Sequence, residues 1–338
     1  MTPTTIVPPA LRLGAVLSVL ALVLTGCALN TEPDLTGSGA QDSGVVSAPN
    51  STGGPYDVSA LLHPAHKYVG AALPGVPQSL DALGPYEQQI GKKPNILEYY
   101  ASFGDGFDIS GARRIFASGA IPYMAWEPYT PSLTAIASGS SDAYITSVAK
   151  AVASVDLPVA ISFGHEFNGN WYPWGRQATT PAQFVAAWRH IHDLFKAAGA
   201  TNVIWVWSPN IINPARSTRL QPYYPGDAYV DWIGVVGYYA LYGEHTWNTL
   251  FEPTMREVRG FTKKPFFISE TASQRSPRRQ ADIDDLMSGI ETHPDVLGFV
   301  WFDIVKRADW RIETTPGPLA DYRQRLSNPA FGFDIRNP

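Results

Sequence analysis

The chain has 338 residues and a hydrophobic content of 45%, enough for one large domain or two modest ones around a sizeable core. Its net charge of −5 lacks the basic excess that phosphates attract, so nucleic acid is not an expected partner. A single cysteine, Cys27, excludes an internal disulfide, and 10 Trp with 16 Tyr form a heavy aromatic load that core packing explains only in part.

At the N-terminus, Arg12 precedes an apolar run over residues 13–24 that ends in Leu24-Thr25-Gly26-Cys27. The run falls short of the ~20 residues a membrane-spanning helix needs and reads as the h-region of a signal peptide. Its last four residues resemble the bacterial lipobox, in which the cysteine is lipidated and becomes the new N-terminus. The expectation is a lipoprotein signal peptide over 1–26, lipidation at Cys27, and a flexible Ser/Gly/Pro linker over 27–59. That linker is too poor in large apolar residues to order itself. The protein is then expected to be secreted and held at the cell surface, anchored to the bacterial membrane.

From residue 60 to 338, short runs rich in β-branched and aromatic residues alternate with longer amphipathic stretches. Strands are predicted over 68–72, 95–100, 121–126, 159–163, 203–207, 232–236, 266–269 and 298–302. Several are apolar throughout, as strands covered on both faces should be. After the fourth comes "TTPAQFVAAWRHIHDLFKAAGA". Thr180 is a good N-cap, Pro181 suits the first helical position and Gln183 completes a capping box. Phe184, Trp188, Ile191 and Phe195 share one face, and Gly199 is a stop. Helices are also predicted over 141–154 and 282–292. Repeated β-then-α units point to a single (β/α)8 TIM barrel over 60–338. A doubly wound open sheet competes, weakened because no Gly-rich nucleotide loop follows the first strand.

In such a barrel, chemistry sits at the C-terminal ends of the strands. Strand two ends near Glu98, with Asp105 beyond it. Strand three ends in Trp126-Glu127, and strand four in Gly164-His165-Glu166-Phe167-Asn168. Tyr238 and Tyr239 follow strand six, Glu270 follows strand seven, and Trp301 and Asp303 follow strand eight. Ends four and seven lie across a narrow mouth from one another. Glu166 and Glu270 are therefore expected to face each other, as glycoside cleavage requires of two carboxylates. Aromatic walls suit the apolar faces of sugars, and Asn, His and Tyr suit their hydroxyls. Alternation sends only one of Tyr238 and Tyr239 inward. Trp126 fits either barrel packing or the cleft. Glu127 and Glu98 fit either sugar hydroxyls or arginine partners. Trp188, Trp232 and the tryptophans of "WVWSP" suit the core, although Trp207 ends a strand.

"GHEFNGNWYPWG" resembles the signature of glycoside hydrolase family 26, with "VDWIGVVGYY", "KPFFISETAS" and "LGFVWFDI" following in the expected order. The resemblance implies a retaining (β/α)8 glycosidase with Glu166 as general acid/base and Glu270 as nucleophile. It implies that Tyr238 hydrogen-bonds the nucleophile, that Trp301 is the platform under the reacting sugar, and that His165, Asn168, Trp171 and Trp174 line neighbouring positions, with Trp126 and Glu127 as further substrate contacts. No metal and no cofactor are required. The partner is a polysaccharide, with an endo-β-1,4-mannanase expected first and a mixed-linkage β-1,3-1,4-glucanase or β-1,3-xylanase as alternatives. Two positions depart from the family pattern. Phe167 stands where Met is usual, and Trp126-Glu127 stands where mannan-cleaving members carry a histidine.

Two readings of other classes compete. A carbohydrate-binding lipoprotein would suit the aromatics and tether but would not call for a facing carboxylate pair. A barrel metalloenzyme would need a strand-end ligand set, which the seven histidines do not supply.

Overall fold

The computed structural model describes residues 56–212 and 218–338. The predicted signal peptide, Cys27 and nearly all of the predicted linker lie outside the described residues.

Eight strands form a closed barrel in chain order: β1 (Tyr68–Ala72), β2 (Ile96–Ser102), β3 (Ile121–Glu127), β4 (Val159–Phe163), β5 (Val203–Trp207), β6 (Trp232–Val236), β7 (Phe266–Thr271) and β8 (Val296–Phe302). β1 pairs with β8 in parallel and closes the ring. Helices α1 (Ser59–Leu62), α2 (Leu83–Ile90), α3 (Ile109–Ala117), α4 (Leu133–Ala137), α5 (Asp142–Ser154), α6 (Pro181–Ala197), α7 (Trp247–Leu250), α8 (Glu252–Arg259), α9 (Arg279–Thr292) and α10 (Pro316–Leu326) connect or flank the strands. A short hairpin, β9 (Val305–Lys306) and β10 (Ala308–Asp309), follows β8.

Most strand residues are buried because helices cover one face and the barrel interior the other. α6 starts as the sequence predicts: the Thr180 hydroxyl accepts from the Gln183 N–H at 3.3 Å, and the Gln183 side chain accepts from the Thr180 N–H at 2.8 Å. Its apolar face, Phe184, Trp188, Ile191 and Phe195, is fully covered. α9 starts three residues earlier than expected, at Arg279 rather than Asp282. Its first turn is polar, so apolar periodicity does not mark it. The turn is fixed instead by the buried Arg279 guanidinium, which donates to the Thr314 and Thr315 hydroxyls at 2.8 Å and to the Trp310 and Arg311 carbonyls at 3.1 and 2.9 Å.

Aromatic rings fill the barrel interior below the mouth: Tyr68, Trp232 and Tyr123 all pack against Phe267. Strand alternation sends their neighbours outward. Trp126 on β3 stacks on Phe103 at 4.9 Å and meets Phe195 of α6. Trp301 on β8 meets Tyr322 of α10.

Candidate active site

After β4 the chain turns through Gly164, at φ +58°, where an added Cβ would press on Trp174 and Phe184 at 3.3 and 3.4 Å. Glu166 also lies in the left-handed region, at φ 54°. For a non-glycine residue that conformation costs on the order of 1 kcal/mol and persists only where neighbours impose it. Here the Glu166 N–H donates to the Ser208 carbonyl at 2.7 Å, and the Glu166 carbonyl accepts from the Gly169 N–H at 2.8 Å. The result points the carboxylate into the mouth. One of its oxygens accepts from the Trp171 indole at 2.9 Å and the other from the Asn210 amide.

Glu270 arrives by another route. Phe267 and Ser269 face the barrel interior, where Phe267 packs on Tyr123 and Ser269 crowds Gly234. Plain alternation would therefore send Glu270 outward. The register shows why it does not. Gly234 and Val236 of β6 pair with Phe267 and Glu270, and Ile268 and Thr271 of β7 pair with Phe299 and Trp301 of β8. Towards its C-terminal end β7 carries one extra residue against both neighbours, after β8 has carried one of its own between Val296 and Phe299, and this bulge re-aims the side chain at the strand end. Both Glu270 oxygens are then met by phenols, one by Tyr100 and the other by Tyr238.

The two carboxylates differ electrostatically. Glu166 is pushed up to about 7, first by burial and then by the charge on Glu270, against the opposing pull of Trp171, Asn210 and Lys306. Burial also raises Glu270, but the Tyr100 and Tyr238 hydroxyls and Lys306 hold it down. Both phenols sit well above their ordinary range through burial and so remain donors. When the pair shares one proton, it resides on Glu166. Two further carboxylates face the same mouth. Glu98 is raised well above its ordinary value by burial and by Glu270, and one of its oxygens has no hydrogen-bond partner among the described residues. Glu127 is raised by burial and accepts a long 3.4 Å bond from Tyr129.

The other expected contacts divide. Trp171, 41% exposed, presents its ring beside Glu166. His165 is buried against Tyr172 and Tyr100, is pulled down to about 3 by burial and is neutral. Of the tyrosine pair, Tyr238 reaches Glu270, while Tyr239 donates to Asp285 at 2.7 Å. Four expectations need correction. Trp174 is buried, stacked on Tyr172 at 4.2 Å with its indole on the His165 carbonyl at 2.7 Å, and offers no surface to a ligand. Asn168 spends its amide on the Asn210 backbone, with both bonds at 2.8 Å. Trp126 and Trp301 point into the strand–helix layer, because each is one residue out of phase with the inward face.

Sequence reasoning did not nominate Tyr100, Asn210, Lys306 or Trp310. Tyr100 was recoverable: it lies two residues from Glu98 on one strand and so shares its face. Asn210 follows β5, whose end showed only tryptophan, serine and proline as landmarks. Trp310 packs on Tyr238 at 4.7 Å from beyond the hairpin, where no periodicity leads.

A family model described as "Glycosyl hydrolase family 26" matches residues 138–290. Endoglucanase H of Acetivibrio thermocellus is 32% identical over 278 residues, covering 78% of this chain and 30% of that protein. The β-1,3-xylanase TXYA of a Vibrio species is 24% identical over 64% of this chain and 49% of its own length. Mannan endo-1,4-β-mannosidase A and B of Caldalkalibacillus mannanilyticus is 32% identical over 41% of this chain and 27% of its own. The chain thus spans less than half the length of these relatives. A modular endo-β-1,4-mannanase from Cellulomonas fimi shares the fold with a TM-score of 0.63 at 16% identity, over 82% of this chain and 75% of that one.

Proposed function

The chain belongs to glycosyl hydrolase family 26, and from that premise we propose that it is a retaining hydrolase of a β-linked polysaccharide, an endo-β-1,4-mannanase. The observation that carries the reading is the pair of buried carboxylates at one barrel mouth with unequal donors, Glu270 met by two phenols and Glu166 by an indole and an amide. In the first step a Glu270 oxygen attacks the anomeric carbon. The glycosidic oxygen leaves with the Glu166 proton, and a glycosyl ester forms. Burial of Glu166 persists, but esterification removes the Glu270 charge that added to it, so Glu166 becomes the stronger acid in the second step. It then takes a proton from water as the water attacks the anomeric carbon. The ester bond breaks and Glu270 returns as carboxylate.

Trp171, beside the acid, is the wall for the leaving sugar, and Glu127 is a hydroxyl acceptor. Trp310, half-buried against Tyr238, takes the platform role that the covered Trp301 cannot fill. Mannan is favoured by the relatives named as mannan endo-1,4-β-mannosidases. A β-glucan is the second reading, because the relative that covers 78% of this chain is named an endoglucanase. Incubation with mannan, galactomannan, lichenan and β-1,3-xylan, with product sizing and NMR of the first-formed anomer, tests both. Retained β-products from mannan support the first reading and from lichenan the second; no cleavage of any of them ends the hydrolase proposal.

Lipidation at Cys27 and surface anchoring are proposed on the lipobox-like residues alone. Cys27→Ala is expected to release the protein from a bacterial membrane fraction into the medium; unchanged fractionation would overturn the anchor.

A further inference from the structure

The hairpin after β8 touches both tyrosines that donate to Glu270. The Lys306 ammonium lies 5.3 Å from the centroid of the Tyr100 ring. Trp310 packs on Tyr238, with ring centroids 4.7 Å apart. The two contacts are tied together, because the Trp310 indole donates to the carbonyl of Lys306 at 3.2 Å. Trp310 is anchored in turn: its carbonyl accepts from the Trp301 indole at 3.3 Å and from the buried Arg279 guanidinium at 3.1 Å. The backbone under Lys306 is therefore set by the core, although its side chain is exposed. Asp309, the carboxylate on the hairpin itself, is engaged by Arg311 at 2.8 and 2.9 Å. Lys306 itself lies over Tyr100, at the rim of the mouth.

Building on the hydrolase reading, we propose that Lys306 is a positioning residue for Glu270: held over Tyr100 by the Trp310 clamp, its charge keeps the nucleophile ionised and its phenolic donor in place. The groups facing it come from four directions. Glu98 and Tyr100 belong to β2, Glu127 to β3, His165 and Glu166 to the loop after β4, and Glu270 to β7. Lys306 draws each of the four carboxylates down, and draws His165 down as well. Without it, several buried acids would compete to hold protons in one pocket, and Glu270 would ionise only at higher pH.

The sign of the effect is fixed. Removing the cation raises Glu270 and Glu166 together, so both limbs of the pH profile of kcat/KM move to higher pH. Lys306→Met, which keeps the stem's packing, is expected to move both limbs up by roughly half a unit, a shift limited by solvent screening of the exposed ammonium. Lys306→Arg is expected to keep wild-type limbs. Titration of the Glu166 and Glu270 carboxyl carbons by NMR, in wild type and Lys306→Met with labelled glutamate, reads the same shift without substrate. If wild type cleaves none of the four polysaccharides, the hydrolase reading fails while the titration still decides the role of Lys306. Carboxyl titrations that coincide in the two proteins would overturn the inference. So would lower turnover with unmoved limbs, because that is the signature of a purely structural lysine.

Discussion

At the β4 rim the chain leaves the strand before its carboxylate appears; at β7 the strand itself carries the carboxylate. Glu166 is aimed by a left-handed residue, locked by backbone bonds to Ser208 and Gly169. Glu270 is aimed by one extra residue in β7, visible as a register shift against both β6 and β8. The donors differ as well. Glu166 receives an indole and an amide, and Glu270 receives two phenols. One fold can thus place two identical side chains in one pocket and separate their protonation through the surroundings, which is what acid and nucleophile require of a pair.

The comparison breaks most sharply at Glu270. Glu270→Ala should cut turnover on the preferred polysaccharide by roughly 10⁴-fold or more, measured as reducing ends released; wild-type turnover would remove the nucleophile from the scheme. Glu166→Ala should cost roughly 10²–10⁴-fold, with the smallest loss on aryl glycosides whose leaving group needs no proton. An equal loss on all leaving groups would argue against an acid.

The donors sharpen the contrast. Tyr100→Phe and Tyr238→Phe each remove a hydrogen bond to a charged group and should each cost about 10- to 100-fold in kcat/KM, while raising the acidic limb that belongs to Glu270. Tyr239→Phe, whose hydroxyl goes to Asp285, should leave that limb in place. In wild type the basic limb should fall near pH 7, where Glu166 loses its proton. Asn210→Ala removes a donor that favours the ionised form, so this limb should rise while the acidic limb stays; the pH profile of kcat/KM measures both.

The smallest effect is on stability. Glu166 is raised in the fold above its unfolded value of 4.5. Its contribution is therefore fully present below about pH 4.5 and lost as pH rises to about 7. Glu166→Gln removes the buried charge and should raise Tm at pH 8, by on the order of 2–5 °C, but not at pH 4. Thermal scans at the two pH values check the difference.

Much of the barrel was legible because its signals are local. Strands covered on both faces are apolar throughout, and the capping box of α6 and its i, i+4 aromatic face need only a few adjacent residues. Tyr100 was within reach of the same two-residue rule that separates Tyr238 from Tyr239. The tryptophans misled where count and place in a motif stood in for orientation. Trp126 and Trp301 sit beside functional residues in sequence yet pack into the layer behind them, since neighbours on a strand face opposite ways, and Trp174, in the loop after β4, is spent on Tyr172 and the His165 carbonyl.

The residues alone determined where the eight barrel strands run along the chain and that glutamates stand at the ends of several of them, because periodicity and turn chemistry act over a handful of positions. Tertiary structure decided where those glutamates point and what meets them. A bulge is counted only against neighbouring strands, and Asn210, Tyr100 and Lys306 reach the mouth from elements 44, 66 and 140 residues distant from Glu166. Contacts that far apart exist only once the barrel has closed.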